Sequence, residues 1–433
     1  MRTIKKLQVG NIPALKTSLL KWAQQYTEVV WLDSNNYHQK HSIYDAVLAV
    51  DAFTAIETSA KGAFDRLQEY QQVTRDWLFG YLSYDLKNDT EDLHSENFDG
   101  LKFPDLYFFQ PKKMFLLKDD QLELQYLRMV DDEMDEDLEA IFNPSEEDRK
   151  KPFLTPVEIQ SRIPKEKYLE KVTEMLGHIQ RGDIYEANFC QEFFSENAVI
   201  DPLRVYEHLN AISRPPFAGF LKLSGKYLLS ASPERYLQKK GSTLISQPIK
   251  GTAPRGVDPD DDQKRINDLQ NDPKERSENV MIVDLVRNDL SKTAKKGSVK
   301  VEELCRVYSF EQVHQMISTV TSQLAEGIPV VEVLKTTFPM GSMTGAPKIS
   351  AMQIIEELEE TRRGLYSGAV GYFTPEDDFD FNVVIRSILY NEKEKYVSFS
   401  VGGAITSKSL PENEYLECLV KARALKQVLE QEQ

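Results

Sequence analysis

Tyr168, Val172, Met175 and Ile179 recur at spacings of four, three and four, and Gly182 stops the run just before a strand-like segment begins at Ile184. The recurrence marks one face of an amphipathic helix, and the switch to extended character directly after a glycine stop argues for mixed α/β architecture. Further extended runs at 227–231, 382–386 and 396–401 alternate with helical stretches near 275–291, 348–360 and 412–430. They predict one α/β region from 151 to 433. Earlier in the chain, Val29-Val30-Trp31-Leu32 and Trp77-Leu78-Phe79-Gly80-Tyr81-Leu82 read as strands rich in β-branched and aromatic residues, with no cofactor motif. Residues 131–148 hold ten acids and no base, which accounts for most of the net charge of −16. Such a stretch predicts a solvated linker or an exposed hairpin closing an N-terminal part at 1–150. The glycine turn of a calcium-binding EF-hand loop is missing from it.

Several classes of function are disfavoured. The chain contains no run of eighteen apolar residues, and its N-terminus leads into no hydrophobic signal core, so no membrane association is expected. An acidic chain without a basic stripe argues against nucleic-acid binding. Cys190, Cys305 and Cys418 are odd in number and far apart, forming neither a zinc pattern nor a disulfide framework. A reducing, cytoplasmic setting is expected.

The chemistry concentrates around Lys250, in Gln247-Pro248-Ile249-Lys250-Gly251-Thr252, and Glu234, in Ser232-Pro233-Glu234-Arg235. A lysine between Pro and Gly can be aimed; if desolvated it loses its proton more easily and becomes a nucleophile. A nearby glutamate would supply an acid or base. These two residues alone equally suit a turn lysine on a loop. Glu275 with Glu278, and Glu414 with Glu417, are three apart near the starts of two helical stretches, so each pair presents two carboxylates in one direction. Such pairs suit Mg²⁺, and they also suit simple complementation of a helix dipole. Lys421 lies one turn beyond Glu417. The segment Gly341-Ser342-Met343-Thr344-Gly345-Ala346-Pro347-Lys348 runs into a helical pattern, and Val401-Gly402-Gly403-Ala404 ends a predicted strand. Both can offer N–H groups to an anion or be tight turns. Walker and Rossmann glycine patterns are absent, which favours a carboxylate over a nucleotide phosphate.

In order, these segments resemble the chorismate-utilising enzymes, a family that includes anthranilate, isochorismate, salicylate and aminodeoxychorismate synthases. The match runs through Gly182-Asp183-Ile184-Tyr185, Ser232-Pro233-Glu234-Arg235, Pro248-Ile249-Lys250-Gly251-Thr252 and Ser277-Glu278-Asn279-Val280-Met281. It continues through Thr344-Gly345-Ala346-Pro347-Lys348, Gly368-Ala369-Val370-Gly371-Tyr372, the Gly402-Gly403 segment and Glu414-Tyr415-Leu416-Glu417. Residues 160–430 carry it strongly. The N-terminal part matches loosely, through Gly80-Tyr81-Leu82-Ser83-Tyr84-Asp85.

The resemblance implies two packed β-sheets with helices outside and a central active-site cleft. It further implies chorismate as substrate, Lys250 attacking C2 and Glu234 protonating the departing C4 hydroxyl. Mg²⁺ would be held by Glu278 and Glu417, with Glu275 and Glu414 acting through water. Arg386, Tyr372 and His314 would meet the enolpyruvyl group, and Thr344, Gly402, Gly403 and Lys421 the carboxylates. A lysine at 250 is similar to the aminodeoxychorismate synthase branch, since anthranilate synthases, the alternative, usually carry alanine there. That branch implies a separate glutamine amidotransferase subunit supplying ammonia, and a downstream aminodeoxychorismate lyase that completes 4-aminobenzoate for folate. Leu32-Asp33-Ser34-Asn35 and Arg214-Pro215-Pro216-Phe217 resemble, with departures, segments that hold tryptophan in relatives. Glu186 departs from the family, whose amide-forming members usually place glutamine there, and isochorismate and salicylate synthases a lysine.

Overall fold

The computed structural model describes residues 1–37, 40–143 and 156–430. The strands alternate in facing as a half-buried sheet requires. Val29, Trp31, Leu48, Phe220 and Leu229 face one core, shared with helices Ile12–Trp22, Lys165–Arg181, Pro202–Ser213 and Pro411–Glu430. Val30, Leu32, Val47, Ala49, Leu221 and Leu228 face the opposite way, into a second core. There they meet Phe79, Phe108, Phe373, Phe381 and Leu237 from the strands of a second layer. Two β-layers therefore pack face to face with helices outside.

Among the described residues the layers form one hydrogen-bonded network of twenty strands because two long strands belong to both. Strand Leu106–Lys118 pairs with Leu78–Leu82 through its first residues and with Gln121–Leu127 through its last. Strand Ala46–Thr58 follows it along both halves, with a register shift between Ala52 and Thr54. The N-terminal 130 residues are not a separate layer. Glu28–Asp33 pairs with Phe217–Leu223, and Leu78–Leu82 with Ala369–Phe373.

Three local expectations are corrected. Residues 131–142 form a short 3-10 turn and the helix Met134–Phe142 rather than a solvated linker. Met134, Leu138 and Ile141 are buried at helical spacing, and Asp137 pairs with the buried Lys113. Glu146, Glu147 and Asp148, and the expected boundary at 150, lie outside the described residues. The strand expected at 382–386 ends at Val383, and Arg386 takes a left-handed φ of 52°. Gly402 and Gly403 lie inside the strand Tyr396–Thr406, paired with Cys190 and Phe189, rather than in a turn. A Cβ at Gly402 would collide with the Phe189 carbonyl, so glycine there serves strand packing. All three cysteines are free and buried, and no helix among the described residues is long and apolar enough to cross a membrane.

Candidate active site

Lys250 reaches its position through a bulge. In strand Ile249–Pro254, Ile249 pairs with Ile317 and Thr252 with Gln315, so three steps on one strand oppose two on the other. The extra residue re-aims the side chain, and Gly251 at φ 92° absorbs the bend. Asn279 fixes the bulge from behind, its amide donating to Met316 O at 3.2 Å. The helix carrying Asn279, Pro273–Ser291, starts sharply. Asp272 caps it by accepting from the backbone N–H groups of Lys274 and Glu275, with Pro273 at the first position. The same helix presents Glu275 and Glu278.

These elements enclose a polar cavity of about 570 Å³. Glu234 and Lys250 line it, as do Glu275, Glu278, Glu417, Arg386, Gly402, Gly403 and Lys421. Glu234 enters from the tight link between strands Lys226–Ser232 and Arg235–Lys240, while the next side chain, Arg235, turns away to Asp380 at 2.9 Å. Glu414 is buried behind the wall, with its carboxylate beside Gly403. The Arg386 side chain makes no hydrogen bond or ion pair among the described residues, which leaves its guanidinium available to an anion.

Four expected contacts are not made. Tyr372 is buried against Trp77 and Phe79, away from the cavity. Six residues earlier Tyr366 lines the cavity instead. His314 is fully buried, bonded to Ser309 and Asp262, because successive strand residues face opposite sides. Its neighbours Val313 and Gln315 face the cavity, and the Gln315 side-chain oxygen has no hydrogen-bond partner. Thr344 is fully buried, its hydroxyl turned back to Gly341 O and its carbonyl accepting from the Asn188 N–H. Ser342 and Met343 line the cavity in its place. The N–H groups of residues 343 and 344 bond within their own turn, and Lys348 is tied to Asp289, so this loop offers no free anion nest. Beside Leu32, Asp33, Pro216 and Phe217 the described residues frame about 50 Å³, room for roughly four waters and not for an indole ring. Lys16 already neutralises Asp33 there, at 2.7 Å. Lys274, also on the cavity wall, gave no signal in the sequence.

Electrostatics divides the groups by role. Burial pushes Glu234 up to about 7, against the smaller opposing pull of Ser342, Lys250 and the Ile249 N–H, so it holds a proton near neutrality. Burial also lifts Glu278 to about 7, partly offset by Lys250 and Lys274. Glu275 and Glu414 are raised by the same cause. Glu417 is lowered: burial raises it, but Lys421, at 2.7 Å, together with Lys274 and Lys250 outweighs burial. The sequence suggests a lysine whose proton is loosened by burial, and here the direction reverses. Burial does push Lys250 down, yet Glu186, Glu278 and Glu234 outweigh it and hold the ammonium above the usual range. Glu186, itself 2% exposed, makes the direct contact, Oε1 to Nζ at 3.0 Å. One Glu278 oxygen, Oε1, is buried without a hydrogen-bond partner. Among the described residues no three His, Cys, Asp or Glu side chains are gathered to hold a metal ion by themselves.

A cavity of this size, with lysines and an arginine spread round its walls and several carboxyls that burial raises between them, suits an enzyme acting on a small, multiply anionic molecule. The chain belongs to the chorismate binding enzyme family, whose profile matches residues 27–427. It is 40% identical over 288 residues to aminodeoxychorismate synthase component 1 of Escherichia coli K12, a match covering 66% of this chain and 62% of that protein's length. To anthranilate synthase component 1 of Thermus thermophilus it is 36% identical, over 82% of this chain and 77% of the relative. The crystal structure of anthranilate synthase component I from Streptococcus pneumoniae TIGR4 shares the fold. Its TM-score is 0.79 at 23% identity, covering 90% of this chain and 95% of that one.

Proposed function

We propose that this chain acts as the chorismate-binding component of an aminodeoxychorismate synthase, converting chorismate and ammonia to 4-amino-4-deoxychorismate. The observation that carries the reading is Lys250 on the wall of the same cavity as Glu234, a buried carboxyl pushed up to about 7. The Lys250 amine bonds to C2 as the C4–oxygen bond breaks, and Glu234 gives its proton to the leaving hydroxyl, which departs as water. Ammonia then bonds to C4, the C2–nitrogen bond breaks, and Glu234 recovers a proton from the new ammonium. Two easier displacements replace one hard one. Arg386, Lys421 and Lys274 hold the substrate carboxylates, and Tyr366 and Gln315 supply polar edges to the enolpyruvyl side. A glutamine amidotransferase subunit supplies ammonia, and a separate lyase takes the product toward 4-aminobenzoate.

The cofactor in this reading is Mg²⁺. The oxygen-only set of Glu275, Glu278, Glu414 and Glu417 fits an ion that takes one or two carboxylates and keeps several waters, and Glu278 Oε1, which makes no hydrogen bond and has Lys274 Nζ 3.9 Å away, is a candidate ligand. When bound, the ion supplies charge neutralisation that anchors the ring carboxylate. Glu278→Gln or Glu417→Gln is expected to raise the Mg²⁺ concentration for half-maximal rate by about tenfold or more. An unmoved Mg²⁺ titration in both variants would remove the ion from this site. Arg386→Ala is expected to raise KM for chorismate by roughly tenfold to a hundredfold, the value of charge-assisted hydrogen bonds. An unchanged KM would place the enolpyruvyl carboxylate elsewhere.

The deciding experiment is a product assay with chorismate, Mg²⁺ and ammonium, with and without added aminodeoxychorismate lyase. 4-Aminobenzoate appearing only with the lyase supports the proposal. Anthranilate and pyruvate released without it would instead assign the chain to the activity named for the Thermus thermophilus relative.

A further inference from the structure

The resting site poses a problem that the reaction has to solve. An ammonium is not a nucleophile, and Lys250 is held as an ammonium. Its direct partner is Glu186, at the start of the strand Glu186–Ser195 and 2% exposed. That strand is locked on both sides. Glu186 pairs with Ala346 on one edge and with Thr406 on the other, which fixes the backbone from which its carboxylate reaches the lysine. Only one oxygen engages Lys250; the other, Oε2, is buried with no hydrogen-bond partner. A buried carboxylate left half satisfied is costly in either role, as an anion or as a structural ion pair. The 3.0 Å contact between Lys250 Nζ and Glu186 Oε1 is a direct path for a proton from the ammonium to the carboxylate. The other ionisable groups around Lys250 are Glu275 and Glu278, from the helix Pro273–Ser291, Glu417, from the helix Pro411–Glu430, and Glu234, from the link ahead of the strand Arg235–Lys240.

We propose that Glu186 is the proton acceptor for Lys250, taking one ammonium proton as the amine bonds to chorismate and returning it when the amine is released. The inference rests on Lys250 being the nucleophile. The balance closes. Glu186 carboxylate and Lys250 ammonium become carboxylic acid and amine; the amine bonds to C2 while Glu234 protonates the departing hydroxyl. After ammonia adds at C4, Lys250 leaves as a free amine and takes its proton back from Glu186, and Glu234 takes one from the new C4 ammonium. The sum is chorismate and ammonia in, aminodeoxychorismate and water out. Because the first proton never reaches solvent, activation of the lysine is independent of bulk pH. A glutamine here would hold the lysine but accept nothing, leaving the proton to water.

The test is the rate of covalent adduct formation with chorismate and Mg²⁺ but no ammonia, followed by intact mass from pH 6 to 9. Wild type, Glu186→Gln and Glu186→Asp are compared, with Lys250→Ala as the blank. Taking the ratio to wild type cancels the titration of Glu234. The Gln/wild-type ratio is expected to climb with pH, from about one-tenth at pH 7 to near one at pH 9. The Asp/wild-type ratio should stay flat, because a carboxylate remains. A Gln/wild-type ratio constant across the range, with adduct present, would overturn the role of Glu186 and leave Lys250 standing. Absence of any adduct in wild type would overturn both.

Discussion

Lys250→Ala is expected to abolish the covalent adduct and lower kcat by on the order of 10²–10³-fold, equivalent to about 3–4 kcal/mol of lost transition-state stabilisation. The variant should still fold and still bind chorismate. Lys250 lies on a bulge held by backbone pairing and by Asn279 from behind, and its side chain bonds to Glu186 rather than to the bulge itself. Removing it also takes from Glu186 its counter-ion. Residual turnover would come from direct addition of ammonia at C4, with Glu234 still in place as acid. Two measurements check this: intact mass after incubation with chorismate alone, and single-turnover product formation with ammonium. Wild-type kinetics in the variant would make Lys250 a bystander and remove the main reason to separate this chain from its anthranilate synthase relatives.

Much of this site was legible in the sequence, because its residues sit where local rules decide orientation. Glu275 and Glu278 share a helical face, as do Glu417 and Lys421, and those side chains line the cavity. Lys250 and Glu234 were marked by Pro and Gly neighbours, and both reach it. Two of the misplaced residues, His314 and Tyr372, belong to strands, where an error of one position reverses the facing. His314 and Gln315 are adjacent, and only the register with strand Ile249–Pro254 decides which looks inward. Tyr366 precedes strand Ala369–Phe373 and so escapes its alternation, whereas Tyr372 obeys it and packs into the aromatic core. Met134, Leu138 and Ile141 were spaced for a helix, but the surrounding acids hid the stripe. The ionisation of Lys250 could not be read locally at all. It depends on Glu186, Glu234 and Glu278, three residues brought together only by the tertiary fold.

Glu234→Gln is expected to lower kcat by roughly 10²–10⁴-fold, the usual loss when a positioned general acid is removed, with KM for chorismate little changed. The pH dependence gives this prediction its sign. A carboxyl acting as an acid must hold its proton, and burial places that transition at about 7. The first half of the reaction, measured as adduct formation without ammonia, should therefore be fast below about 7 and decline as pH rises through it. Bound chorismate is anionic and will move the decline upward rather than down. In Glu234→Gln the declining limb should vanish along with most of the rate. The same burial has a cost in stability. Glu234 binds its proton more tightly folded than unfolded, with a folded value near 7 against an ordinary 4.5. The folded state therefore holds the extra proton between those values, and its stability falls as pH rises across that window, by about 3 kcal/mol if fully expressed. Glu278 contributes in the same direction. A neutral amide removes the penalty, so Glu234→Gln should melt higher than wild type at pH 8 and no higher at pH 4, while being nearly inactive at both. Thermal denaturation at the two pH values, set beside the adduct rates, checks both halves. A variant that loses activity and also melts lower at pH 8 would mean that Glu234 is held as a stabilising anion rather than as a stored proton, and the acid role would pass to another group in the cavity.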